Sequence, residues 1–564
     1  MRGQRSAAPG VVAAPTTPPT ASAWAGEHRG RTSLTAGLCE QCGLGPAALR
    51  RHPDHQEPAA APGGGENTTL TDAGMLRRIP PTGNTALAMN LFTDSEVAAG
   101  WPEISNQRIG ISNISLKRYR CFSDISVSFD PRLTLIAAPN GEGKTAILDA
   151  VAISLRLFVD TLQKKRSSRG FAKEDIQLAV SREGTMENFL PGEPTAVHAN
   201  GVFWGDKITW TRELRSASPG AKTTTKDARE LSQIAEGLLG YLHFTGSTSD
   251  TSGSKVEILP MISYYGTGRL YSQIKSTQNK KPGKSRLDGY EDCLNPNSSY
   301  KAFLAWFGPM SREAQAEQQT GLHSGHRAEE RIKAVAKAIS GVLESTGWTD
   351  VRWDFVNQEP VAFHSDGRAL PVRLLSDGVR NMLAMVADMA FRCSQLNPQL
   401  GVDAATRTPG IALIDEIDMH LHPEWQQSVL SRLMTVFPEI QFLVSTHSPE
   451  VISTFGKEHI RVVKHGRVSS PSAQTSGVPS DRVLASVMGV NPVWGELEAA
   501  KWLTRYHSLI SQGLYNLDEG ADLRIKIIEH YGNSSQQLLE CDQAIRLAEI
   551  RNKISTRFAK VSEQ

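Results

Sequence analysis

Residues 138–145 read Ala-Pro-Asn-Gly-Glu-Gly-Lys-Thr, and no other stretch constrains the fold as strongly. The apolar run Leu-Thr-Leu-Ile-Ala before it has the length and character of a buried strand. Residues 146–156 after it carry apolar side chains at helical spacing. Strand, glycine loop and helix are the context such a loop requires. Around Asn140, Gly141 and Gly143 the backbone N–H groups can turn inward around anionic oxygens, and the helix N-terminus adds a favourable dipole. Lys144 would then reach the β- and γ-phosphates of a nucleotide, and the Thr145 hydroxyl would bind Mg²⁺. The pattern G-x-x-x-x-G-K-[ST] usually opens with Gly. Here that position is Ala138, which permits close backbone approach but not positive φ at low cost. A chance match in a glycine-rich chain is the alternative, and the flanking strand and helix argue against it.

A second constellation lies far downstream. Residues 410–414 form a short apolar strand ending in Asp415 and Glu416. Adjacent carboxylates at the end of a buried strand are costly unless a cation or a proton-transfer role explains them. Asp415 is placed to hold Mg²⁺, directly or through water, and Glu416 to orient and polarise an attacking water. After Asp418, His420, His422 and Pro423 come a helix from Glu424 and a strand over 441–445 that closes on Thr446-His447-Ser448-Pro449. His447 at that strand end would touch the γ-phosphate. His420 and His422 read as packing residues rather than metal ligands, since no Cys/His partners sit nearby at ligand spacing.

Between these lies Leu375-Ser376-Asp377-Gly378, followed by an apolar helix over 381–390. Alone it is an ordinary helix cap. Placed between a phosphate loop and a carboxylate pair, it resembles the signature motif of ABC-type ATPases. That resemblance implies that Ser376 and Gly378 contact the γ-phosphate of ATP held by another subunit. The same family carries a glutamine at the end of a strand. The corresponding strand here, 257–265, runs into a glycine turn with no Gln at its end, and Arg269 or Gln273 would have to substitute. Near the front, residues 114–122 and 125–129 alternate as two strands. Arg118 and Arg120 there read equally as neighbours of adenine and ribose or as a basic strand edge.

The chain has 564 residues, 39% of them hydrophobic, enough for more than one lobe with a sizeable core. No run of about 18 apolar residues exists, so no membrane-spanning helix is expected. With 61 basic and 59 acidic residues, net charge argues neither for nor against a nucleic-acid partner. Six cysteines are scattered, as suits a reduced, cytoplasmic protein. Cys39 and Cys42, with His52 and His55, have the spacing of a zinc site in a segment that lacks periodicity.

Three segments are expected: 1–105 as a disordered Ala/Pro/Gly-rich leader, 106–466 as a two-lobed ATPase domain, and 467–564 as a linker and helical region. This leader is expected to be dispensable, or to be an over-called start with initiation at Met75 or Met89. The long insertion before Ser376 contains a hairpin over 196–214 turning at Gly205-Asp206, and helices near 299–306 and 328–345. It also holds a basic loop with Lys275, Lys280, Lys281, Lys284 and Arg286, read as solvated or as meeting nucleic acid. Helices are expected over 521–531 and 535–555.

Taken together, 138–145, Tyr-Tyr-Gly-Thr-Gly-Arg at 264–269, Leu-Ser-Asp-Gly at 375–378, 413–423, 445–449 and the region of Asp481 and Met488 resemble the ATPase subunits of Septu anti-phage systems, PtuA, including the form found beside retron reverse transcriptases. The resemblance covers about 108–555. It implies an α/β fold of the ABC type with two lobes, Mg²⁺-dependent ATP hydrolysis, and assembly with an HNH nuclease. In retrons it also implies a reverse transcriptase and its RNA–DNA product. ABC-type sites are shared between two subunits. One copy of each motif and no internal repeat therefore imply a homodimer or larger assembly. The alternative is a RecF/SMC-like repair or recombination ATPase. A transporter ATPase is disfavoured by the 375–378 signature and the 418–423 tail.

Overall fold

The computed structural model describes residues 109–490 and 495–562, apart from 166–169, 184–185, 219, 248–256, 270–284, 298–300 and 322–327. The 1–105 leader with Cys39 and Cys42, and also Gln273, Lys275, Lys280, Lys281 and Lys284, lie outside the described residues.

The central sheet has six strands. β8 (Met261–Tyr265), β12 (Gly410–Ile414), β13 (Ile440–Thr446), β3 (Leu133–Ala137) and β14 (Ile460–Lys464) run parallel in that order, and β15 (Arg467–Ser469) closes the edge antiparallel to β14. Every residue of β3, β8, β12 and β13 is buried, which is why these runs are continuously apolar rather than alternating. Their ends are level. Thr446 pairs with Ala137, and Ile414 pairs with both Val444 and Tyr265. Ala138, Asp415 and His447 therefore leave the sheet at one edge, the carboxyl ends of the strands, where open α/β sheets bind ligands.

A second, antiparallel sheet of order β2-β1-β6-β7 is built from β1 (Gly110–Tyr119), β2 (Phe122–Ser128), β6 (Thr195–Phe203) and β7 (Asp206–Leu214). The β6–β7 hairpin turns at Trp204 and Gly205, both at positive φ. Phe203 and Trp210 pack against α1 (Lys144–Leu162), where the Trp210 indole N–H donates to the Ser154 carbonyl at 3.0 Å. Buried Gln441 joins the two sheets: its amide accepts from Ile111 N–H and donates to the carbonyls of Ile111 and Asp130, each at 2.8 Å.

Next come a small hairpin of β4 (Leu178–Glu183) and β5 (Met186–Pro191), then α2 (Arg229–Ser247). Beyond it, α3 (Lys301–Thr320) and α4 (Ala328–Leu343) precede a three-stranded meander, β9 (Trp348–Asp354), β10 (Glu359–His364) and β11 (Ala369–Pro371). The last strand leads into α5 (Asp377–Leu396), which is buried along nearly its whole length. α6 (Pro423–Val436) connects β12 to β13. Three C-terminal helices, α7 (Glu498–Gln512), α8 (Asp518–Tyr531) and α9 (Gln536–Ser562), share a separate small core of Tyr506, Leu509, Ile510, Leu523, Ile527 and Leu538.

Two expectations need correction. The strand expected over 257–265 begins only at Met261, because Pro260 has no N–H to donate to a ladder. Arg286, expected in a basic loop that is solvated or meets nucleic acid, is instead half-buried and anchored to the protein. Its guanidinium donates to the carbonyls of Leu396 and Glu257, both at 2.6 Å, and to Asn397 Oδ1 at 3.2 Å. A sequence window sees its lysine neighbours but not the carbonyls that folding brings to it. Among the described residues no helix is long and apolar enough to cross a membrane.

Candidate nucleotide site

The loop leaving β3 wraps its own lysine. Lys144 is 6% exposed, and its ammonium donates to the carbonyls of Ala138 at 3.0 Å and Pro139 at 3.2 Å. The left-handed positions of the loop are Gly141 (φ 83°) and Gly143 (φ 91°). Ala138 is not among the positive-φ residues, so the usual glycine of that position is not needed for backbone reasons. Gly143 is doubly constrained: a Cβ there would lie 2.5 Å from the Phe122 ring and 2.6 Å from Cys121 Sγ.

Three strand ends converge on this loop. The Thr145 hydroxyl donates to Asp415 Oδ2 at 2.7 Å, and the other oxygen of Asp415, a residue 1% exposed, accepts from the Ser445 hydroxyl. Asp415 N–H donates to the Tyr265 carbonyl at 2.8 Å, which fixes the carboxylate to the neighbouring strand. Glu416 sits next to it at φ 47°, a strained position for a residue with a Cβ, held by its N–H donating to Ser445 Oγ at 2.8 Å. His447 lies between the two halves. Its Nδ1 is 3.4 Å from the Lys144 ammonium and its Nε2 is 3.6 Å from Glu416 Oε1. Burial pulls the Lys144 ammonium below its ordinary pKa, against the opposing pull of Glu416, Asp415, Asp418 and Glu142. An anionic ligand delivered to this ammonium would relieve that desolvation.

Asn140, Gly141, Gly143, Lys144, Thr145, Asp415, Glu416 and His447 thus gather at one sheet edge. Ser376 and Gly378 do not join them. They lie at the start of α5, in a separate groove of about 580 Å³ with Asp377, His420, His422 and Trp425, lined by none of residues 138–145. Ser376 is exposed and its side chain makes no capping bond. Gly378 packs so closely that a Cβ would come within 2.3 Å of the His420 carbonyl. His420 and His422 are both exposed on this groove. No cluster of three or more His, Cys, Asp or Glu suited to a metal occurs among the described residues.

Arg118 and Arg120 are committed to protein partners. Arg118 donates to the Glu193 carbonyl at 2.8 Å. Arg120 pairs with Asp149 at 2.5 Å and Asp175 at 2.8 Å. Asp149, one turn beyond Thr145, also accepts from the Tyr264 hydroxyl at 2.8 Å. The strand where a glutamine was sought therefore reaches the loop helix through a tyrosine. Arg269 has a described backbone only, at the short turn after β8. Ser445, Asp418, Asp149 and Tyr264 carried no individual role in the sequence reading. Asp418 accepts from the Thr446 hydroxyl at 2.6 Å and so ties the segment after Glu416 to the His447 strand. A serine and a threonine ending a buried strand were the signal for this pairing.

Family comparisons agree with this geometry. One AAA-domain model matches residues 113–343. A second AAA-domain model, whose description names the AbiEii toxin of Type IV TA systems, matches residues 321–453. The "Retron Ec83 probable ATPase" of Escherichia coli is 24% identical over 78% of this chain and 87% of its own length. The "Retron Vc95 probable ATPase" of Vibrio cholerae is 26% identical over 73% and 85%. The Septu protein PtuA of Bacillus mycoides is 44% identical over 75 residues, 13% of this chain and 10% of its own. Along these stretches the chain is similar to retron ATPases and to PtuA. Its P-loop fold is the mixed α/β one expected, and the phosphate loop, the Asp415–Glu416 strand end and His447 all fall within the two matched AAA-domain regions.

Proposed function

We propose that this ATPase binds and hydrolyses Mg²⁺-ATP as the sensor or regulatory subunit of an anti-phage defence complex, and that it acts on a partner nuclease. The observation that carries the catalytic part is the 2.7 Å hydrogen bond from Thr145 to the buried Asp415. A hydroxyl and one carboxylate, with substrate phosphates and water completing the shell, suit Mg²⁺, which keeps most of its water and needs few protein ligands. When bound there, Mg²⁺ would neutralise charge on the β- and γ-phosphate oxygens. Lys144 and the loop N–H groups of Asn140, Gly141 and Gly143 hold the phosphates. Glu416 positions and polarises the attacking water, and His447 stands beside it to contact the γ-phosphate.

The separate Ser376–Gly378 groove supports a shared site. In this reading a second copy brings its Ser376 to the γ-phosphate held on the first copy's loop, giving two sites at a two-fold interface. Similarity to retron ATPases and to PtuA supports the defence role and an HNH nuclease, reverse transcriptase and RNA–DNA product as partners.

A plaque assay on cells carrying the gene with its neighbours tests the whole reading. Lys144→Ala should abolish protection. Protection at wild-type level with Lys144→Ala would overturn it, and sensitivity to DNA damage in place of phage sensitivity would favour the RecF/SMC-like repair alternative.

A further inference from the structure

A cleft of about 820 Å³ lies well apart from the phosphate loop in sequence and lining. Its walls are the C-terminal end of α1, residues 170–171, the loop 221–226 and the first turns of α2. Lys222, Lys226 and Arg229 are exposed on it and take part in no ion pair among the described residues. Lys165 adds a fourth cation, matched at 3.3 Å by Asp160. Glu236 is the other carboxylate on the wall, while Asp227 and Glu230, on the same turn as the cations, line no part of it. Like charges three or four residues apart repel mildly on a helical turn, so a concave site that gathers cations with few carboxylates is suited to an anion.

The other walls narrow the chemistry. Thr225 and Ser232 also line the cleft, while the Thr161 hydroxyl donates to the Leu157 carbonyl at 2.8 Å. The half-buried Phe171 ring is braced edge-on by Tyr119 at 6.0 Å, and its N–H donates to Thr223 Oγ1 at 2.8 Å. Asp160 is 4% exposed and its charge is met from within the protein, by Lys165 and by the buried Arg212. Cations, hydroxyls and an aromatic face together match a nucleotide unit, with phosphates on the cations and a base on the ring.

We propose that this cleft is a second nucleotide-phosphate site, one that takes the phosphates of a single nucleic-acid strand or of a free nucleotide.

Two arms distinguish the sources. The first follows the fluorescence anisotropy of a labelled 12-nucleotide oligo-dT with the full chain. Lys222→Gln/Lys226→Gln/Arg229→Gln should weaken binding at least about tenfold. It should also flatten the log–log salt dependence by roughly 2, since each phosphate neutralised on a single strand contributes about 0.7 to that slope. The second arm counts bound ADP per chain by equilibrium dialysis, with two sites expected in wild type and one in the triple variant. Loss in either arm supports the proposal and names the source. Strand affinity and salt slope unchanged within twofold, together with equal ADP counts, would overturn it. So would an equal loss in Lys333→Gln/Lys337→Gln, two exposed lysines on α4, since binding would then be diffuse. Should the triple variant not fold, Thr225→Trp blocks the cleft without changing charge and must reproduce the loss.

Discussion

The two ends of the proposed ATP site are built in opposite ways. At the phosphate-loop end, Lys144, Thr145, Asp415, Ser445, Glu416 and His447 are hydrogen-bonded or ion-paired within one chain, and Lys144 and Asp415 are buried. At the signature end, Ser376 and Asp377 are exposed on an open groove, and the crowding there is backbone packing of Gly378 on His420. One end is preorganised, with its desolvation already incurred during folding. The other has a set backbone and an accessible serine. In the proposed shared site the first would be the rigid acceptor half and the second the donor half, with the Ser376 side chain left accessible.

The largest expected effect tests the rigid half. Glu416→Gln should keep ATP binding and lose hydrolysis by ~10²–10⁴-fold, because the water-polarising carboxylate is gone while Asp415 remains. Steady-state phosphate release within threefold of wild type would remove Glu416 from that role. Lys144→Ala acts earlier. Its charge faces the phosphates in the ground state, so a titration should show ATP affinity reduced by about tenfold or more. Unchanged affinity would contradict the loop assignment.

The split itself is tested by mixing. In the proposed dimer, Lys144→Ala and Ser376→Arg chains should each be inactive on their own. A mixed dimer collects both lesions in one site and leaves the other whole. At equal ratio, half the dimers are mixed with one working site each, so about a quarter of wild-type activity should return. If every ratio stays inactive while the chains still associate, hydrolysis is completed without a second copy's Ser376.

The smallest effect is a control far from both halves. Burial raises the Glu257 carboxyl to about 7, with Arg286 opposing. A carboxyl raised on folding contributes fully below its unfolded value near 4.5 and loses that contribution as pH rises through about 7. Glu257→Gln should therefore match wild type near pH 4 and be more stable by about 1–3 kcal/mol at pH 8, with ATP affinity unaltered. Melting curves at the two pH values check the sign, and a stabilisation larger at pH 4 would refute it.

Much of the nucleotide end was legible because it is local. A strand, a glycine turn and a helix close together in the chain are set by backbone sterics and apolar spacing, and the largely apolar runs at 133–137, 410–414 and 440–446 read as strands buried on both faces. The acidic pair and histidine were readable as strand ends for the same reason. Their meeting was not. That Asp415 takes the Thr145 hydroxyl, that Ser445 locks both Asp415 and Glu416, and that Tyr264 rather than a glutamine reaches Asp149 follow from the strand order β8-β12-β13-β3, which joins residues hundreds of positions apart. Arg286 shows the same limit from the other side. Its neighbours in sequence are lysines, and its partners in space are carbonyls from 257 and 396. Sequence alone determined which chemistry the chain carries, since residue types and local spacing encode it. Only the tertiary structure decided which groups share a site and that Ser376 stands apart from it, because register and burial are set by the packing of the whole sheet.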